Sequence, residues 1–138
     1  MQLPPLREAD GRRIQRFLDA IWAEQGLARA TLDSYRRDLE GLARWAASQA
    51  GEPPRQAPAP RSTLAGIDRA GLFDYLAWRT RHGWSPRSNA RLLSALRAFF
   101  ADCLRRGERD DDPSALLEPP RLPRPLPKAL AESQIEAL

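Results

Sequence analysis

Thr31, Ser34 and Arg37 follow one another at three-residue intervals, and Arg87, Ser88 and Arg91 form a second group of the same kind. Hydroxyl and guanidinium groups at helical spacing present hydrogen-bond donors on one face, a chemistry for gripping an anion rather than for breaking a bond. Each group lies near the start of a segment that reads as a helix. Free backbone N–H groups and the positive end of the helix dipole add to the attraction for phosphate there. Arg36 sits beside the first group at the edge of an apolar stripe. From such a position a long side chain lays its stem on the core and reaches out, to a phosphate or to a carboxylate within the domain.

Residues that could catalyse are scarce. His82 is the only histidine and stands beside Gly83 at a helix end, with no cysteine or carboxylate cluster around it. Cys103, the only cysteine, falls on an apolar helix face and reads as a small core residue, so no intrachain disulfide can form. Tyr35 and Tyr75 also fall on apolar faces, which makes them packing residues before nucleophiles. The run Asp110–Asp112 lacks the alternating ligand spacing of a calcium loop and reads as a solvated turn ahead of Pro113. Glycine-rich phosphate loops, nucleophile elbows and zinc-ligand spacings are absent. The expectation is a non-enzymatic chain that needs no metal or cofactor.

These groups need helices to carry them, and the apolar pattern supplies four. Ile14, Phe17, Leu18, Ile21 and Trp22 form a single stripe on a helix from about Glu8 to Glu24, stopped by Gly26. A second helix from about Arg29 to Gln49 buries Leu32, Tyr35, Leu39, Leu42, Ala43 and Ala46. Asp33, Arg37, Glu40, Gly41 and Arg44 lie on its opposite side. Prolines between Gly51 and Ala65 make a loop. A third helix is capped by Asp68, carries Leu72, Phe73, Tyr75, Leu76 and Trp78, and ends near Arg81. Ser85-Pro86 opens a fourth, which runs to about Arg106 with Leu92, Leu93, Leu96, Phe99, Phe100, Cys103 and Leu104 inward. Its other side holds Arg87, Arg91, Ser94, Ala98 and Arg105, where small residues allow close approach to a partner. Asp112-Pro113-Ser114 predicts one further turn of helix. No window alternates as a strand does, so the class is all-α.

With 138 residues the chain is long enough for one domain with a real core. It carries 22 basic residues against 18 acidic ones, and Lys128 is the only lysine. Arginine's planar fork matches phosphate and guanine edges. A GC-rich coding bias produces the same excess, so the placement of the arginines carries the argument. No apolar run approaches the ~20 residues that span a bilayer, and the polar, prolyl start resembles no signal peptide. The expected place is the cytoplasm, away from membranes. Five prolines between Pro119 and Pro127 read as an extended linker, and residues 131–138 as the first turns of another helix.

Four motifs stand in order along the chain. They are Gly26-Leu-Ala-Arg-Ala-Thr-Leu-Asp-Ser-Tyr-Arg-Arg-Asp-Leu39, Ser88-Asn-Ala-Arg-Leu-Leu-Ser-Ala-Leu-Arg97, Asp111-Asp-Pro-Ser-Ala115 and Leu126-Pro-Lys-Ala-Leu130. From about Ile14 to Leu138 the chain resembles the N-terminal core-binding domain of bacterial tyrosine recombinases of the Xer type. The resemblance implies a SAM-like, orthogonal four-helix bundle over residues 1–118, a linker over 119–130, and the start of a catalytic domain over 131–138. It implies that the second and fourth helices lie against the major groove of double-stranded DNA, forming half of a clamp around a recombination site. Thr31, Ser34, Arg36, Arg37, Arg87, Ser88 and Arg91 are then the DNA-facing residues. The catalytic arginines, histidine and tyrosine belong to the other domain, so the fragment itself would neither cut nor rejoin DNA. The parent would act through a tyrosyl-phosphate link within a tetramer of sister subunits, without metal or nucleotide, in resolving chromosome dimers. The isolated fragment is expected to be monomeric. Two other readings stay open: an integrase of a phage, plasmid or transposon, and a helical adaptor whose arginines hold an acidic protein.

Overall fold

Each helix begins and ends where a local signal tells the backbone to turn. The computed structural model describes residues 3–50, 63–115 and 117, and among these it contains four helices and no strand. They are α1 (Glu8–Gln25), α2 (Arg29–Ala50), α3 (Arg69–Arg81) and α4 (Pro86–Arg105), each within a residue of its expected bounds. Gly26 closes α1 at φ 59°, a left-handed conformation that costs glycine nothing, and its N–H donates to the Trp22 carbonyl. The Asp68 carboxylate accepts from the Gly71 N–H at 2.8 Å and starts α3. Ser85 Oγ accepts from the Ser88 N–H at 3.1 Å, with Pro86 as the first residue of α4.

The apolar stripes then meet in one core. Ile14, Phe17, Leu18 and Ile21 of α1 pack with Leu39, Leu42 and Ala43 of α2, and with Leu92, Leu93, Leu96, Phe99 and Phe100 of α4. Phe17 and Phe99 meet edge to face, 5.5 Å between centroids, an arrangement that adds to simple burial. α3 contributes Leu72 and Tyr75. Leu64, in the turn over Thr63–Gly66, is fully buried, and its N–H donates to the buried Asp10 carboxylate at 3.0 Å. No helix of the described residues is long and apolar enough to cross a membrane.

Several inward assignments are corrected. Trp22 is 63% exposed, and Phe73 and Leu104 are exposed too, because each flanks its stripe beyond the width that the neighbouring helices cover. Leu32 and Tyr35 are only half-buried, whereas Trp45 joins the core. Asp112-Pro113-Ser114 forms a turn rather than a helix, since Asp112 Oδ1 accepts from both the N–H and the hydroxyl of Ser114. The proline-rich stretch 51–62, the linker prolines and residues 131–138 lie outside the described residues.

Much of the arginine content is structural. Arg13 of α1 reaches the far end of α4, donating to Asp102 at 2.7 Å and Glu108 at 2.9 Å while lying 4.9 Å from the Phe99 ring centroid. Arg109 donates to the Ala65 and Ile67 carbonyls and lies over Phe100, fastening the end of α4 to the turn before α3. Burial alone would push the Asp102 carboxyl up, but hydrogen bonds from Arg13 and Arg106 outweigh it and hold it below the ordinary value. A folded-state value below the unfolded one means stability that is present above about pH 4 and lost as pH falls through the folded-state value. Urea unfolding across that range is expected to show this loss. Asp102→Asn should cost about 3 kcal/mol at neutral pH, by leaving the buried Arg13 with Glu108 alone to offset its charge, and should flatten the acid limb.

Candidate nucleic-acid interface

α1 begins with Glu8 and Asp10 and α3 is capped by the Asp68 carboxylate, charges that offset the positive ends of their dipoles, whereas the first turns of α2 and α4 contain no acidic residue. The starts of α2 and α4 are therefore the ones left open to an external anion. The backbone donors at α4 are fewer than its sequence promises. Pro86 has no N–H, Ser88 gives its N–H to Ser85 Oγ, and Asn89 gives its own to the Ser85 carbonyl. Only the Arg87 N–H of that turn is left. The Ser88 hydroxyl accepts from Ser85 Oγ at 3.0 Å and keeps its own proton to donate.

Arg37 and Arg91 are brought together. With Asp38, Arg44, Tyr75, Trp78, Arg79 and Trp84 they line one cleft of about 440 Å³ between α2 and the α3–α4 junction. Arg37 is exposed on its rim. Arg91 is turned partly inward, its Nε and Nη2 donating to the two oxygens of Asp38, each at 2.9 Å. The Arg91 side chain is 43% exposed and the Asp38 side chain 3%. The Asp38 hydrogen bond raises the Arg91 guanidinium value further. Thr31 and Ser34, half-buried on α2, continue the line of Arg37 toward the start of that helix, and Arg87 is exposed one turn before Arg91. Arg36 faces α1 instead, where its Nη2 donates to Gln15 Oε1 at 2.6 Å. It ties two helices through a carboxamide.

Sequence periodicity missed Arg79, Arg44 and Trp84. Arg79 follows Leu72 and Tyr75 on the buried side of α3 and is 1% exposed, a position where an apolar pattern expects a leucine. Its guanidinium carbon lies 4.0 Å from the centroid of Trp84 and 5.6 Å from that of Tyr75. Its Nη2 stands 3.8 Å from Asp38 Oδ1, too far for a hydrogen bond, and its Nε and Nη1 are buried without partners. Arg44, assigned to the outer face, donates to the carbonyls of Leu3 and Pro4 and holds the N-terminal segment across one end of the cleft. Gly41, also assigned outward, faces Tyr75, whose hydroxyl would lie 3.0 Å from a Cβ there, so α3 meets α2 where α2 has no side chain. The one available signal was Trp84 itself, an aromatic placed just before a serine–proline cap.

His82 stacks on Trp78 at 4.5 Å, and its Nδ1 bonds the Trp78 carbonyl. No group of three or more metal-ligating side chains occurs among the described residues. Cys103 is fully buried, and burial pushes its thiol up although Arg13 opposes this.

Residues 14–107 match the family described as phage integrase, N-terminal SAM-like domain. The chain belongs to that family. The SAM-like domain is 65% identical over 137 residues to the tyrosine recombinase XerD of Xanthomonas campestris pv. campestris, covering 99% of this chain and 39% of the relative. It is 63% identical to that of Xanthomonas axonopodis pv. citri, over 96% of this chain and 40% of the relative. With that of Pseudomonas aeruginosa it shares 42% identity, over 91% of this chain and 38% of the relative. The chain thus spans about two fifths of the length of these curated relatives. No solved structure matches it.

Within the cleft of this SAM-like domain, burial raises the Tyr75 phenol to about 12, with Arg79 opposing and Asp38 adding to the shift. A raised folded-state value means stability present below the unfolded value near 10 and lost as pH rises toward 12. An ultraviolet absorbance titration should show one tyrosine ionising only near pH 12. Its ionisation near the ordinary value in the folded chain would contradict the packing of α3 on α2.

Proposed function

We propose that this chain is the DNA-holding module of a site-specific tyrosine recombinase, laying α2 and α4 against a duplex. The observation that carries the reading is the convergence of Arg37 and Arg91, from two helices, on one cleft between α2 and the α3–α4 junction. Arg37, Arg87 and Arg91 contact phosphates, with Thr31, Ser34 and Ser88 as shorter donors along the same face. Arg36 acts less directly, because its guanidinium is engaged with Gln15. Relatives named tyrosine recombinases support the parent activity: one strand cut at a time through a tyrosine in another domain, within a tetramer of sister subunits. Chromosome dimer resolution in the bacterial cytoplasm is the corresponding role. This domain contributes grip and register, and the cutting chemistry lies in the other domain. The isolated domain binds as a monomer, since its proposed contacts all lie on one copy.

Binding of this type releases counterions in proportion to the phosphates neutralised. With ~3–5 phosphate contacts, the plot of log affinity against log salt should have a slope of about −3 to −4.5. Fluorescence anisotropy with labelled duplex DNA measures it. Arg37→Ala should weaken binding at every sequence tested and make the slope shallower by about one. Absence of duplex binding even at low salt would overturn the function, and an unimpaired Arg37→Ala/Arg87→Ala double variant would overturn the assigned face.

A further inference from the structure

Two guanidinium groups attend one buried carboxylate in the cleft, and they are not equivalent. Arg91, on the DNA-facing side, holds both oxygens of Asp38 while remaining 43% exposed. Arg79, beneath Trp84, is 1% exposed and stops 3.8 Å short of the same carboxylate, with Nε and Nη1 unpartnered. The cluster carries one cation more than its carboxylate neutralises. A phosphate arriving at Arg91 competes with Asp38 for that guanidinium. An Asp38 left alone in the interior would then oppose binding, because an uncompensated buried charge is costly.

The geometry points to a partner exchange: on DNA binding Arg91 turns onto a backbone phosphate, and Arg79 closes the short gap to take over Asp38. This inference rests on the proposed DNA-binding function and adds to it a positioning residue that itself never touches DNA. Arg79 suits the part because it is already placed. Its guanidinium already lies against the Trp84 ring, with Tyr75 further off, and its Nη2 is 3.8 Å from Asp38 Oδ1, so only a small shift brings Nη2 into hydrogen-bond range. Burial lowers its ionisation value in the free domain, with Asp38 among the groups opposing that fall, so a closer Asp38 improves its surroundings. Arg91 can leave because nearly half of its side chain already faces solvent. With a phosphate present, two cations balance two anions.

The test is a double-mutant cycle on the 138-residue chain, read by anisotropy with a labelled duplex, with urea unfolding to confirm that each variant is folded. Arg91→Ala should lower affinity about tenfold and make the salt slope shallower by about one. Arg79→Met should produce a loss of the same kind, because Asp38 then keeps Arg91 for itself. In the Arg91→Ala background Arg79→Met should cost nothing further. Asp38→Asn should release Arg91 and restore binding to Arg79→Met, while Arg79→Lys, which keeps the charge, should bind nearly as the wild type does. Equal losses from Arg79→Met with and without Arg91, or no loss at all, overturn the exchange while leaving DNA binding intact. Failure of the wild-type chain to bind any duplex overturns both. Should Arg79→Met not fold, the Nε–H resonances of Arg79 and Arg91, assigned with Arg79→Lys and Arg91→Lys, decide the matter. Both should move on saturation with duplex, and unchanged positions refute the exchange.

Discussion

A buried arginine obliges the fold to supply a carboxylate, and in this domain that obligation fixes how the helices lie on one another. Hydrophobic burial is non-directional and would tolerate several ways of packing four amphipathic helices. The arginine–carboxylate contacts are directional and choose among them. Asp102 on α4 draws Arg13 across from α1, and Asp38 on α2 draws Arg91 from α4 with Arg79 of α3 close by. Removing one member of such a group leaves an uncompensated charge in the interior, which costs more than a missing methyl group. The core supplies most of the free energy, and the ionic crossings supply its geometry.

That division explains which parts of the structure could be read from the sequence. Helix bounds were legible because they are local: Gly26 after α1, Asp68 before α3 and the Ser85-Pro86 pair before α4 act on their immediate neighbours. The inner halves of the stripes were legible for the same reason, since Phe17 or Leu92 repeats at the helical period. Trp22, Phe73 and Leu104 were misjudged because stripe width depends on how far a neighbouring helix extends, which no local pattern records. Arg79 was invisible to an apolar pattern, because its burial depends on Asp38, which lies far away along the chain.

The candidate site shows the same limit. Arg37 and Arg91 stood out in the sequence as members of two separate groups on two helices, and the structure brings them to one cleft. Their unequal freedom could not be read, because Asp38 was seen only as part of a motif and not as a ligand for Arg91. Arg36, adjacent to Arg37 in sequence, points to another helix, as a rotation of ~100° per residue requires. The backbone donors expected at α4 were reduced by the same Ser85-Pro86 signal that made the helix easy to find. A strong cap and an open anion site compete for the same N–H groups.

Cys103 has a practical consequence of another kind. It is the chain's only thiol, fully enclosed by the core, and its ionisation is suppressed, so it offers alkylating and spin-labelling reagents almost no thiolate. A cysteine introduced anywhere on the surface would therefore be the single reactive position in an otherwise unaltered chain. The fold has in effect passivated its own sulfur, and distance measurements along α2 and α4 can be made without first engineering it away.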